Sequence, residues 1–520
     1  MKNNLFYIVS IDSFIKKRFH LLMGGITILA LLLIWVNFRQ LLYFTWDQGQ
    51  DYFAIKNIVS VDHTLIGTTT GLHGFFLGPF WFYLGVPGYL LGRGSPLILS
   101  GWYVFMASLA IPVVYFFSKK LSQGNQIDHL LLYGLMALSP SSINGITKIW
   151  NPMIGITLMG LFFYVLLDLK KRPIWQILTA FFLLGLSLQA EFAYAVFFVP
   201  LGLLMVWKES HNEKGKRLLA SLVGLGATLL PQILFELRNG LVMSKTLYNH
   251  IFHADDITWI ALWLKRPIDL ITSTKSLLVG NNVAFLDWGF FLILMLMFGV
   301  GVYSVLKNDK KDSFRRPIVY FALFPYFMYM FWKGNYGNFF DYYLTAHYLV
   351  IIPVFFWGIK TVIDWKISVS KDRNKFLVLM VCFLVCFPLL RIINYRVFDH
   401  ENNAGYVKMN EAVAQIYSWI QEDAQNPGVV KIFTPNTNTE HYDALFLSQS
   451  REKNLPLPLT VASDDTTKWY SLIEPDHQLT NRLPRWRQKH TDQGVLVRST
   501  NVGVLIVETW QKSEGSIQEN

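Results

Sequence analysis

Charge is scarce in this chain. Of its 520 residues only 16% are Asp, Glu, Lys or Arg, whereas a soluble domain carries roughly 25%, so water is not the solvent of most of it. Cysteine is nearly absent, with Cys382 and Cys386 the only two. They lie four residues apart in one apolar run, which excludes a disulfide framework and suits two small buried hydrophobes better than a redox or metal pair. No internal repeat is visible, and the histidines are not spaced like a zinc site. The net charge of +11 does not describe a nucleic-acid surface, because the basic residues fall in short clusters between apolar runs.

What is abundant is apolar and aromatic. Hydrophobic residues make up 52% of the chain and aromatics 16%, with a mean hydropathy of +0.33. Apolar runs suited to a hydrocarbon layer of about 30 Å recur near 21–36, 75–91, 97–117, 130–138, 153–167, 174–188, 193–207, 218–235, 285–306, 318–332, 343–359 and 376–393. The run 130–138 needs its neighbours to make a full span. In lipid these segments must be helical, since no water satisfies their backbone groups and no barrel pattern is present. The expected architecture is a polytopic α-helical membrane protein of about 11–13 transmembrane helices. Lys16, Lys17 and Arg18 precede the first run and no small-residue cleavage site follows it, so a first membrane helix with a cytoplasmic N-terminus is expected rather than a signal peptide.

Two kinds of loop alternate from Lys119 onward. One is basic: Lys119-Lys120, Lys170-Lys171-Arg172, 208–217, 307–316 and 360–375. The other, at 139–152, 189–192, 236–284 and 333–342, is rich in Trp, Asn, Gly and His. The positive-inside rule puts the basic set in the cytoplasm and the other set outside. Between 39 and 118 the crossing count is off by one, which a re-entrant stretch or an extra short span between 53 and 96 would repair. The chain then divides into a multi-pass domain, 1–394, and a soluble extracytoplasmic α/β domain, 395–520. In the latter, Met409, Val413, Ile416 and Ile420 mark one helix face. Residues 429–433 and 469–473 are expected as strands, and 495–497 and 502–507 as a hairpin turning at Ser499-Thr500-Asn501.

The first external loop carries Trp46-Asp47-Gln48-Gly49-Gln50-Asp51, with 52–66 behind it as an interfacial helix. Two carboxylates four residues apart share a helix face. An acid at the membrane edge can take a proton, bind a cation or sense charge. Asp47 with Gln50 also has the form of a capping box.

In its context the motif resembles the GT-C superfamily of membrane glycosyltransferases that use polyprenyl-phosphate sugars. The likeness is to the branch of protein O-mannosyltransferases and the lipid A aminoarabinose transferase. The ordered landmarks are Asp47-Gln48 after the first helix, Gly78-Pro79-Phe80-Trp81-Phe82-Tyr83, Gly94-Ser95-Pro96, Lys119-Lys120, Leu138-Ser139-Pro140 and Lys148-Ile149-Trp150-Asn151-Pro152. Leu188-Gln189-Ala190-Glu191 and Phe235-Glu236-Leu237-Arg238-Asn239-Gly240 complete the series. They span residues 21–240. Two departures stand out: the second acid of the usual Asp-Glu pair is Gln48, and Glu191 occupies a position that is His in many relatives.

The resemblance implies transfer of a sugar from a polyprenyl-phosphate donor to an acceptor hydroxyl at the outer face of the cytoplasmic membrane. An inverting displacement needs one base for the acceptor proton, and Asp47 is that candidate. Lys148 and Arg238 are the candidates for stabilising the phosphate leaving group. Asp51 and Glu191 complete the catalytic set. Gln48, His73, Trp150 and Asn151 are candidate substrate contacts. No cofactor is required with certainty; a divalent metal, if used, would draw on Asp47, Asp51 and Glu191.

Plainer readings stand beside these. Lys148 suits a solvated loop charge, Arg238 an interfacial anchor paired with Glu236, and Glu191 a structural hydrogen-bonding group. His63, His73 and His347 suit interfacial hydrogen bonding. The stretch 236–284, with Asp255-Asp256, Trp259, Trp263, Lys265 and Arg266, is a candidate loop over the site or an interfacial amphipathic helix. The expected partners are the lipid-linked donor, membrane lipid and a glycan, lipid or protein acceptor, with no nucleic acid. The rival functions are a transporter or flippase, which would show repeats and broken helices, and a non-catalytic scaffold. Sugar and acceptor identity are not written in the sequence.

Overall fold

The computed structural model describes residues 11–60, 62–209, 213–252, 258–280, 285–308, 314–334, 337–367, 370–399, 404–425, 427–460, 466–476 and 481–513. The protein is a polytopic helical membrane protein with a small C-terminal α/β region. Among the described residues seven helices are long and apolar enough to cross a membrane: Ser13–Trp35, Pro96–Leu121, Phe192–Glu209, Lys214–Arg238, Phe285–Lys307, Tyr348–Lys366 and Asp372–Phe398. Three shorter apolar helices, Phe80–Leu91, Pro152–Leu166 and Ile174–Ala190, accompany them.

Contacts along the chain gather into two compact units. The first comprises Met1–Val36, Thr64–Trp81 and Val104–Tyr395; the second comprises Asn37–His63, Phe82–Tyr103 and Arg396–Asn520. The last piece of the second unit begins at Arg396. That unit also draws in two stretches from the first hundred residues.

In the first unit Tyr348–Lys366 is the central helix, 72% of its apolar window buried against 28% for Phe285–Lys307. These two cross backbone to backbone. A Cβ at Gly358 would lie 1.8 Å from the Met297 carbonyl oxygen, and one at Gly301 2.0 Å from that of Val354. Small residues permit such approach where helices pack in lipid. Large side chains point outward instead, among them Leu296, Leu379, Phe383 and Leu390. Cys382 and Cys386 do the same: both are exposed, which corrects the buried reading. A helix solvated by hydrocarbon has no reason to hide thiols. The basic clusters cap carbonyls. Lys120 Nζ donates to Tyr164 O at 2.9 Å, Arg172 to the same oxygen at 3.3 Å, and Arg217 to Leu169 O at 2.8 Å. These cations sit where helix C-termini favour positive charge.

In the second unit four strands, β1 (Val430–Phe433), β2 (Lys468–Ile473), β3 (Gly494–Val502) and β4 (Leu505–Lys512), form one sheet of order β1-β2-β4-β3. β1 and β2 pair in parallel; β2–β4 and β3–β4 pair antiparallel. The helix Tyr406–Glu422 buries Met409, Val413, Ile416 and Ile420, the face its spacing dictates. The hairpin turns at Gly503-Val504, not at Ser499-Thr500-Asn501, which lie in β3 paired to Glu508, Val507 and Ile506. Gly503 has φ 65°, which a two-residue primed turn needs at its first position and which Ser, Thr and Asn meet less readily.

Two other expectations change. The Trp46–Asp51 motif is not a loop ahead of a helix, because the helix Trp46–Ser60 contains it. The stretch 236–284 is not structureless either: it holds the helices Val242–Phe252 and Trp259–Val279. Asp255 and Asp256 lie outside the described residues.

Candidate functional site

In the first unit, landmarks far apart in sequence meet around the break after Ile174–Ala190. Gln189, near the end of that helix, accepts at Oε1 from the Phe80 N–H at 3.0 Å and donates through Nε2 to Thr228 O. Gly78 is pressed against it, since a Cβ there would lie 2.3 Å from the Gln189 side chain. The segment leading to Gly78 is a small hairpin, with Gly67 N–H to Leu77 O at 2.8 Å and Leu77 N–H to Thr68 O at 3.0 Å. Asn151 donates its side-chain N–H to Ala190 O, and Trp150 meets Tyr342 edge-on at 5.4 Å.

Glu191 sits at the break itself. Its backbone is extended (φ −150°, ψ 92°) and its Oε1 accepts from the Ala193 N–H at 3.1 Å. The carboxyl lines a small pocket shared with Pro152, Tyr194, Tyr342, Tyr343 and Thr345. Burial in these surroundings pushes it up to about 8, the Ala193 bond pulling the other way. Around neutral pH it is therefore a hydrogen-bonding acid more than an anion.

Arg266 is the largest cation sealed into this unit. It is 0% exposed, donates to Trp332 O at 2.8 Å, pairs with Asp269 at 3.3 Å, and lies 5.2 Å from the Phe339 ring centroid. A buried guanidinium needs such partners.

The other predicted residues of this unit are dispersed. Lys148 is exposed at the end of the helix Pro140–Thr147. Arg238 is exposed at the end of Lys214–Arg238. It has no ion pair with Glu236 among the described contacts, since Glu236 caps the next helix, accepting from Met243 N at 2.7 Å, Ser244 N at 2.9 Å and Ser244 Oγ at 2.6 Å. His73 is exposed. His347 is fully buried, its Nδ1 3.1 Å from the Tyr194 hydroxyl, rather than interfacial.

In the second unit the acidic motif opens the helix Trp46–Ser60. The capping box is made by Thr45 and Gln48, not by Asp47 and Gln50: Gln48 Oε1 accepts from Thr45 N at 2.8 Å and Thr45 Oγ1 at 2.6 Å. The box requires the Ser or Thr at the cap and the Gln three residues on, and that register begins one residue before the motif. Gln48 is thereby engaged in holding the helix start. Asp47 lies in the first turn, partly exposed, while Asp51 is buried. The exposed N–H groups and dipole of a helix start favour an anion at such a position.

Gly49 fixes where this helix lies. A Cβ there would stand 2.3 Å from the His441 nitrogen and 2.5 Å from the Glu440 carbonyl carbon, so the helix rests directly on the first turn of Glu440–Lys453. His441 Nε2 is 3.1 Å from Glu474 Oε1, which also accepts from the Tyr442 hydroxyl at 2.8 Å. Tyr52 donates to Gly94 O at 2.8 Å, inside the Gly94-Ser95-Pro96 turn, where Gly94 has φ 81°.

Sequence reasoning missed Tyr194, Tyr342 and Tyr343. The Asp341-Tyr342-Tyr343 run was the available signal, masked by a chain with 24 tyrosines. Among the described residues no three His, Cys, Asp or Glu side chains gather as metal ligands.

No family model matches the chain, and no curated protein matches it by sequence. Among solved structures it is similar to ArnT from Cupriavidus metallidurans in two states. The apo state aligns with a TM-score of 0.53 over 94% of this chain and 97% of that one, at 12% identity. The state bound to undecaprenyl phosphate aligns with a TM-score of 0.55 over the same shares, at 11% identity. At these identities the likeness is one of fold, and it covers nearly the whole chain.

Proposed function

We propose that this protein is an inverting glycosyltransferase that moves a sugar from a polyprenyl-phosphate donor to an acceptor hydroxyl at the outer face of the cytoplasmic membrane. The observation that carries the reading is the fold likeness, over 94% of the chain, to a protein crystallised with undecaprenyl phosphate. The hydrogen bonds that bring Phe80 to Gln189 and Asn151 to Ala190, beside Glu191, support it.

The chemistry asks for three things. A base takes the proton of the acceptor hydroxyl as the oxygen attacks the anomeric carbon; Asp47, the acid in the first turn of Trp46–Ser60, is assigned this role. Asp51 supports it from the next turn of the same helix. Cations offset the charge that grows on the departing phosphate; Lys148 and Arg238 are assigned on chemistry, with Arg266 joining them as the sealed guanidinium near Tyr343. Glu191 stays protonated at neutral pH and serves as a hydrogen-bond donor to a sugar or phosphate oxygen, with Trp150 and Tyr342 as a ring surface for the substrate. His73 and Asn151 are secondary contacts.

The test is direct. Envelope glycans and lipids are profiled by mass spectrometry in cells with the protein, without it, and with Asp47→Asn. Loss of one glycosylated species in both defective strains is expected. Identical profiles in all three would end the proposal.

A further inference from the structure

The sheet of the second unit ends in an edge strand whose outer residues do not alternate. Among the described residues β3 pairs only with β4, and its register shifts between Leu496 and Arg498. The bulge inserts Val497, and three consecutive apolar side chains stand in the open: Val495 is 63% exposed, Leu496 45% and Val497 49%. A water-facing edge strand is ordinarily blunted by charge. This one presents its hydrocarbon first.

The helix Arg482–Gln493 runs into β3 without a loop. Its apolar side is engaged, Trp486 stacking on His490 at 3.8 Å and meeting Phe433 at 5.7 Å. On its outer side Arg485 and Lys489 are exposed one turn apart. Two further cations, Arg482 and Arg487, sit on the same helix, where Asp492 is the one acid; Arg487 is paired with Glu508 at 3.1 Å. Exposed cations on a helix that leads directly into exposed Val and Leu suit an amphiphilic, negatively charged surface.

We infer that Arg485, Lys489 and residues 495–497 form a docking face for an anionic phospholipid surface. Charge decides the occupant. A second copy of this chain meeting the same patch in a symmetric pair would set Arg485 and Lys489 against themselves, whereas acidic headgroups complement them. A bilayer is also the one amphiphile that a chain with seven spanning-length helices always has beside it. Two basic residues near an anionic surface shift partitioning about 25-fold, and the three apolar side chains add to that.

The full chain is tested in nanodiscs, with Cys382→Ser and Cys386→Ser removing the native thiols and a nitroxide placed at Val497→Cys. In discs of phosphatidylcholine with one quarter phosphatidylglycerol, the label is expected to collide readily with oxygen and poorly with a water-soluble nickel chelate. In pure phosphatidylcholine, or after Arg485→Glu with Lys489→Glu, nickel collisions should rise at least fivefold. A control label at exposed Glu452 should stay aqueous throughout, showing that the unit remains folded. Aqueous behaviour of the Val497 label in every disc would overturn the inference. Dipolar broadening between labels would also overturn it, giving the face to a second copy.

Discussion

Asp47 and Glu191 are both acids at helix starts, yet one is partly exposed and the other is buried. Asp47 stands in the first turn of Trp46–Ser60, partly exposed, with helix N–H groups behind it. Glu191 is folded into a pocket walled by Tyr194, Tyr342 and Tyr343, and burial lifts it to about 8. Residue type alone does not separate the two roles; their neighbours do.

The largest expected effect breaks the comparison on the Asp47 side. Asp47→Asn keeps size and helix but removes the basic oxygen, and sugar transfer should fall by about 10²–10⁴-fold, measured with purified protein and a polyprenyl-phosphate donor. Wild-type rates would take the base role away from Asp47. Next comes Gly49→Ala. The added methyl meets backbone of Glu440 and His441, which cannot swing aside as a side-chain end can. The second unit should lose about 1–3 kcal/mol, seen as faster limited proteolysis within residues 396–513, while the Glu191 pocket is untouched. Thr45→Ala removes the cap that holds the same helix start and should cost about 1 kcal/mol in the same assay; no change would mean that the Gly49 contact alone fixes the helix.

The smallest effect at neutral pH, and the sharpest probe of the contrast, is Glu191→Gln. Glutamine keeps a hydrogen-bond donor, so activity at pH 7 should change by less than about fivefold. The pH dependence of stability should change more. Between the ordinary carboxyl value of 4.5 and about 8, the folded wild type holds a proton that the unfolded chain has released. Its stability therefore falls as pH rises through that window and levels off above it. Melting curves in detergent from pH 5 to 9 should show that decline for wild type and a flatter profile for the glutamine variant. Parallel profiles would place Glu191 in water.

Much of the fold was legible because membrane spans announce themselves by length and composition. The run 97–117 became Pro96–Leu121 and 376–393 became Asp372–Phe398, and the strands at 430–433 and 468–473 lie where β-branched and aromatic residues cluster. Local chemistry was less legible where two registers competed. Asp47-x-x-Gln50 and Thr45-x-x-Gln48 are both plausible caps, and only packing decided between them. The hairpin at Gly503 was missed because three polar residues outweighed one glycine. The Glu191 pocket was half visible: Glu191 was marked in sequence, whereas the Tyr342 and Tyr343 that help wall it come from about 150 residues downstream. Nothing in a linear reading joins them.

The makeup of the second unit has a consequence for how the protein is born. Its two early stretches, Asn37–His63 and Phe82–Tyr103, are separated from Arg396–Asn520 by nearly 300 residues of nascent chain. At about 5–20 residues per second, the early pair waits roughly 15–60 s for its partner to leave the ribosome. During that interval Gly49 faces no His441 and Tyr406 has not yet donated to Leu42 O. Truncation before residue 396 would make the wait permanent, so a C-terminal nonsense mutation should orphan the acidic motif as surely as a deletion at the N-terminus.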